Sequence, residues 1–302
     1  MTDNQPTMVN MDTMPLRWRH ICVLLIASAG QFFGGALAIL IGVIAPLITI
    51  THHPELSSWL QGFVFSSGLI GIMVGSLFFG HFSDKYGYLA FFRLCPILIT
   101  GASLWICFSH SVTILTINLL LIGFAIGGAY ALDPSYVSEI MPKKWRRTML
   151  GISKATSGLG NILMILVAWY VLKTSSDPTI WNRLFLFFTL FAAITFLARF
   201  WFVESPEWLA LHGKIKEAEK NVKHLLGKDV YIGELVNKKD QAAQPQASAK
   251  DIFARGNLKR LILSGIPWGC EGMGVYGIGI FTPVLLLTLG LTHTGGNAFD
   301  DV

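Results

Sequence analysis

Apolar stretches about 20 residues long recur along this chain, separated by short polar connections in which positive charge collects. A helix of about 20 apolar residues crosses the roughly 30 Å of hydrocarbon in a bilayer. Lipid cannot satisfy an open strand's backbone, so such segments are helical. The pattern predicts seven spans, at Ile21–Ile50, Trp59–Phe79, Leu89–Phe108, Val112–Leu132, Leu150–Leu172, Leu184–Val203 and Leu261–Leu291. The first and last exceed the required length, which predicts tilt or interior breaks at Pro46 and Pro283. The expected fold class is an all-α polytopic membrane protein with a lipid bilayer around it.

The polar connections are unequal. Of the 23 Lys and Arg, all but Lys154, Lys173, Arg183 and Arg199 lie before the first span, around the second–third and fourth–fifth connections, or in the long segment after the sixth span. Because basic residues stay on the cytoplasmic side, the N-terminus is expected in the cytoplasm, with seven spans placing the C-terminus outside. Lys154 and Arg199, inside span ends, are expected to snorkel to water. The expected organisation is a six-helix bundle (1–203), a cytoplasmic loop (204–260), and a seventh span with a short tail (261–302). In the loop, Ser205-Pro206 predicts an N-cap followed by a first-turn proline. One helix should then carry Trp208, Leu209, Leu211, Ile215, Ala218 and Val222 toward a stop at Gly227, either under the bundle or on the membrane surface. Residues 242–249, AAQPQASA, read as a flexible linker.

Composition agrees with this pattern. The chain is 53% hydrophobic and 14% charged, with a mean hydropathy of +0.56, whereas soluble domains carry about a quarter charged residues. The net charge of +5 resides in the connections, so no nucleic-acid partner is implied. Cys22, Cys95, Cys107 and Cys270 lie in or beside apolar runs without Cys-x-x-Cys spacing, which suggests neither a disulfide framework nor a metal site. His52-His53 are adjacent and would not converge on one ion. With no Ser/His or His/Glu metal motif on a span, no catalytic residue, enzyme activity or cofactor is expected. The first apolar run is too long for a signal-peptide core and is read as a retained span.

Finer motifs lie on the spans. Gly30 and Gly34, Gly71 and Gly75, and Gly123 and Gly127 are pairs of small residues four apart, a spacing that lets helix backbones approach in lipid. Ile41-Gly42 to Pro46 recurs as Ile278-Gly279 to Pro283, a register that sets Gly34 opposite Glu271. Gly80, Asp84, Lys85 and Gly87 form G-x-x-x-D-K-x-G between the second and third spans. Tyr136-Val-Ser-Glu139-Ile-Met-Pro142 runs on to Arg146, Glu204-Ser205-Pro206 precedes Trp208-Leu209, and Tyr276-Gly277 leads to Phe281-Thr282-Pro283.

In this order the four stretches resemble the sugar-porter and metabolite:proton symporter branches of the major facilitator superfamily. That resemblance implies alternating access between two six-helix halves around a midplane site, with a small polar solute and protons as ligands. The chain matches one half plus the first helix of the other, so a truncated product or a half that assembles with a complementary chain is the alternative to a transporter acting by itself. Departures are specific. Tyr88 and Leu89 replace basic residues, Arg147 replaces a glycine, and Val203 and Glu207 flank Glu204-Ser205-Pro206 in place of proline and arginine. Leu119 stands where many sugar porters carry arginine, and Gly34 and Ala129 stand where proton-coupled relatives carry acids.

Ionisable residues inside spans are functional candidates by default. Asp133, one turn beyond Ala129, is either a proton-coupling or solute-contacting carboxylate or the cap of a helical piece starting at Pro134. Glu271, in the glycine-rich seventh span, is the sharper coupling candidate, against a role reaching water or an arginine. Gln31, Asn118, Tyr130, Asn161, Trp268 and Tyr276 either hydrogen-bond a solute or bind helices together. The resemblance also implies a cytoplasmic gate of Gly80, Asp84, Lys85, Gly87, Arg93, Glu139, Arg146 and Glu204, with Asp84 expected to pair with Lys85 or Arg146 inside its own half.

Overall fold

The structure, a computed structural model, describes residues 9–10, 12–52, 57–109, 111–174, 178–226, 230–231, 255–279, 282 and 289. Among these, six helical segments are long and apolar enough to cross a membrane. The first is α1 (Trp18–Ala27) followed by α2 (Ala29–His52). Next come α3 (Ser58–Tyr86), α4 (Leu89–Cys107), α5 (Val112–Ile140) and α6 (Arg146–Thr174). A 3-10 turn at Pro178–Leu184 leads into α7 (Phe185–Arg199). Beyond it lie α8 (Pro206–Leu211), α9 (Ile215–Leu226) and α10 (Arg255–Gly272), the last continuing as a π-helical stretch through Gly279. Val9–Asn10 and Val230–Tyr231 pair as a two-residue parallel bridge.

One predicted break moves, and one helix predicted to be continuous is divided. The first span is interrupted at Ser28, not at Pro46, which lies inside α2. The Ser28 hydroxyl donates to the Leu24 carbonyl at 2.6 Å and meets the Ser153 hydroxyl at 2.9 Å. Such back-bonding competes with the helical ladder and bends it. The single helix predicted after the sixth span is two helices, because Gly213 adopts φ +80° between α8 and α9, a conformation that L side chains rarely take. The N-cap reading holds: Ser205 accepts from the Trp208 amide at 3.1 Å, with Pro206 in the first turn. Leu209, Ala210, Ala218, Val222, Leu225 and Leu226 are buried, so both helices seal the end of the bundle. Gly227, the 242–249 linker, Pro283 and Leu291 lie outside the described residues.

Helix pairing has an internal order. The most extensive contacts join α3 to α5, α2 to α6, and α4 to α7. Taken as two runs of three spans, these are contacts of the second with the fourth, the first with the fifth, and the third with the sixth. Exchanging the runs converts the first contact into the second and maps the third onto itself, as an inverted three-plus-three repeat requires. Glycine makes both symmetry-related crossings close. A Cβ on Gly71, Gly75, Gly123 or Gly127 would collide with a backbone oxygen across the α3–α5 seam. One on Gly35 or Gly160 would do the same between α2 and α6. The Gly71/Gly75 and Gly123/Gly127 pairs therefore sit at a backbone contact, while Gly30 and Gly34 instead face side chains of α5.

Candidate functional site

Two charged residues predicted to behave independently are bonded to each other. Arg199 is not snorkelling: it is 1% exposed, and its Nη2 donates to Asp133 Oδ1 at 2.9 Å. Its Nη1 donates to the Phe92 carbonyl at 2.9 Å, and the guanidinium lies 4.8 Å from the Phe92 ring centroid. The Gly30 amide donates to the other Asp133 oxygen at 2.9 Å. Gly30 is what permits this approach, since a Cβ there would overlap that same oxygen. The capping reading of Asp133 fails, because α5 runs unbroken through Pro134. In this conformation the carboxylate is completely buried and faces protein groups.

A second polar group lies on the helix faces next to it. The Tyr130 hydroxyl fills the space above Gly34, where any Cβ would clash with it. The space beside Gly34 on α2 is thus occupied from α5 by a phenol. Tyr130 and Tyr276 share a hydroxyl–hydroxyl hydrogen bond of 3.0 Å between α5 and the π stretch. Lys154, two turns into α6, has an acid partner that the expectation did not include: its Nζ lies 3.5 Å from Glu271 Oε1 and 4.5 Å from the Trp268 ring centroid. Glu271 therefore reaches a lysine, where water or an arginine was the expected bland partner. Gln31 is buried with Oε1 unpartnered among the described residues, and so is Asn161 Oδ1. Asn161 sits against Gly35, on the same face of α2 as Gln31 by the four-residue spacing. Asn118 is apart from this group; it is buried about 18 Å along α5 from Tyr130 and donates to the Ile114 carbonyl of its own helix at 2.8 Å.

At the end of the bundle near Gly87, three motif stretches converge. The Glu204 carboxylate accepts from the Tyr88 and Leu89 amides at 2.7 and 3.2 Å, capping α4 from across the chain. A carboxylate at a helix N-terminus meets both free amides and the positive end of the helix dipole. Gly87, with φ +91°, makes the turn and leaves room for that carboxylate. Glu139 is bonded to the Ser205 hydroxyl, and the Tyr136 hydroxyl donates to the Val203 carbonyl at 3.0 Å. Burial, with Glu139 and Asp84 nearby, pushes the Tyr88 phenol above its ordinary range. The Asp84 backbone carbonyl accepts from Trp208 Nε1 at 3.0 Å, Lys85 lies over the Tyr86 ring, and Arg93 lies over Phe200. Gly80 sits on α3 near Ala131 of α5. Arg146 does not reach Asp84; it pairs with Asp12 of the N-terminal segment at 2.9 Å. The expectation erred because it considered partners only between spans.

A model of the family described as "sugar (and other) transporter" matches residues 12–298. The chain belongs to this family. Among its relatives, the inner membrane metabolite transport protein YgcS of Escherichia coli is 26% identical over 94% of this chain and 62% of its own length. A D-xylose transporter of Levilactobacillus brevis is 30% identical over 72% of this chain and 44% of its own length. Among solved structures, the xylose transporter XylE of E. coli in a partially occluded inward-open conformation superposes with a TM-score of 0.68 at 19% identity, over 76% of this chain and 58% of that one. XylE bound to 6-bromo-6-deoxy-D-glucose, described as a major facilitator superfamily proton:xylose symporter, gives 0.67 at 20% identity over 93% and 64%. The fold is that of the major facilitator superfamily, and this family member is an integral, multi-pass membrane protein. It spans about three-fifths of the length of the first curated relatives it matches.

Lys154 and Arg199 are the residues whose place sequence reading missed. The available signal was position: each stands inside a span together with an acid of opposite charge elsewhere in the bundle, and an unpaired intramembrane charge is costly.

Proposed function

We propose that this family member forms the first half of the solute pathway in a secondary transporter for a small polar solute, coupled to protons and working by alternating access. The observation that carries the reading is the polar face made by Gln31, Tyr130, Lys154, Asn161, Trp268, Glu271 and Tyr276, part-way along helices that are otherwise apolar. Buried amide oxygens at Gln31 and Asn161 are costly without partners, and a hydroxyl- or amine-bearing solute supplies them. Relatives named as sugar and metabolite transporters support the same reading. In it, residues 1–203 form one wall, 204–260 a cytoplasmic loop and 261–302 the start of the facing wall. The charge distribution along the chain supports a cytoplasmic N-terminus. The Glu204–α4 contact, with Gly80, Asp84, Lys85, Gly87, Arg93, Glu139 and Arg146 around it, is then the cytoplasmic closure. Asp133 serves there as a fixed element whose partner is Arg199. Chemistry on a bound substrate has no part in this function.

Reconstitution into liposomes tests the reading. Tracer uptake of sugars and small organic acids is measured with and without an imposed proton gradient. Saturable uptake of at least one solute, lowered by a protonophore, is expected; flux equal to that of protein-free liposomes for every solute overturns the reading.

A further inference from the structure

The contact between α6 and α10 carries charge and is not enclosed by the described residues. The Lys154 and Glu271 side chains are 37% and 45% exposed. The Lys154 ammonium is flanked by the rings of Trp268 and Tyr130, at 4.5 and 5.8 Å from their centroids. Lys154 lies about 12 Å along α6 from its first residue. A cation at that depth needs a compensating charge, and Glu271 supplies it. Protonating Glu271 cancels the compensation and leaves a cation facing two aromatic rings and the paired Tyr130 and Tyr276 hydroxyls. An entering anion restores neutrality, whereas a neutral sugar does not.

We propose that Lys154 recognises the carboxylate of a small organic acid, and that this carboxylate takes the place on Lys154 that Glu271 holds in its absence. This names the substrate class of the transport reading and rests on it. One proton on Glu271 accompanies one monoanion on Lys154, so the loaded and empty sites carry the same net charge and transport is electroneutral. Among the described residues, the groups facing Glu271 are Lys154 from α6, Tyr130 from α5 and Tyr276 from its own segment; Asp133 on α5 is engaged by Arg199, and the neighbouring face of α2 presents Gln31, Gly34 and Gly35, which do not titrate. A carboxylate fits better than a phosphate. Phosphate recognition favours the bidentate guanidinium fork, and Arg199 is already committed to Asp133. A single ammonium suits a monoanion, the phenol of the Tyr130–Tyr276 pair whose proton is not given to the other can donate to its oxygens, and the Trp268 ring offers an apolar face to its carbon skeleton.

The test compares matched probes in proteoliposomes of the whole protein: gluconate and lactate against glucose and xylose. The acids are expected to enter, faster as the external pH falls, at a rate that a clamped membrane potential does not change, while the sugars do not enter. Lys154→Gln should lower acid flux by about tenfold or more, equivalent to about 1.4 kcal/mol or more, and Lys154→Arg should recover much of it. Glu271→Gln should bind the acids without pH dependence. Acid binding is read independently as a change in fluorescence that the Trp268→Phe variant lacks, and melting temperatures of all variants separate lost recognition from lost folding. Sugar flux with acids excluded, or undiminished acid flux in a folded Lys154→Gln variant, overturns the proposal and leaves the transport reading standing. Absence of flux with every probe removes both.

Discussion

Asp133–Arg199 and Lys154–Glu271 are both carboxylate–cation contacts among the spanning helices, yet their surroundings are opposite. The first is sealed: the two side chains are no more than 1% exposed, the heavy atoms meet at 2.9 Å, and Gly30 and Phe92 supply further hydrogen bonds. Phe92, Tyr136 and Phe202 close around it with ring centroids 4.9 to 5.7 Å apart. The second is longer, at 3.5 Å, and roughly two-fifths exposed on both sides. A sealed pair resists exchange because separating it strands a charge in a medium that cannot solvate it. An open pair is held weakly and can trade partners. Equal formal charge therefore gives a strut in one place and a replaceable contact in the other.

The contrast is broken most severely by Arg199→Met, which strands the Asp133 carboxylate. Thermal or denaturant unfolding in detergent is expected to show a loss of about 3–5 kcal/mol. Pairing it with Asp133→Asn should restore most of that loss, since removing both charges removes the stranded one. An intermediate case is Glu204→Gln. Its carboxylate is satisfied by backbone amides, so the variant keeps one acceptor and loses the charge, for an expected loss of about 1–2 kcal/mol in the same measurement. Glu271→Gln should change stability least, by about 1 kcal/mol or less, because the Lys154 ammonium keeps the Trp268 and Tyr130 rings and its side chain is about a third exposed. If Glu271→Gln costs as much as Arg199→Met, the distinction between strut and replaceable contact is lost.

The fold was legible because lipid reduces the options: apolar length sets each span, and glycines four apart mark the close seam at Gly71, Gly75, Gly123 and Gly127. What resisted reading depended on which helix faces which. Nothing local to Asp133 announces Arg199, since the two meet only when α5 and α7 both pack against α4 and α2. Lys154 was assigned to water for the same reason, its aromatic and acidic neighbours arriving from α5 and α10. Ser28, as a helix break, was masked by the more conspicuous Pro46; a proline within a spanning helix is tolerated where neighbouring helices and local adjustment satisfy the freed backbone group. The motif stretches around Gly87, Glu139 and Glu204 were readable as neighbours and do converge, whereas Arg146 found Asp12 in a segment too polar to attract attention.

The sealed pair also bears on how the protein is made. Asp133 leaves the ribosome 66 residues ahead of Arg199, an interval of about 3–13 s at ordinary elongation rates. Through that interval the fourth span holds an acid without its partner, so it must carry a proton, stay beside the insertion machinery or borrow another cation. Where the fourth span waits beside that machinery, the order of synthesis makes the sixth span the step that releases it into lipid.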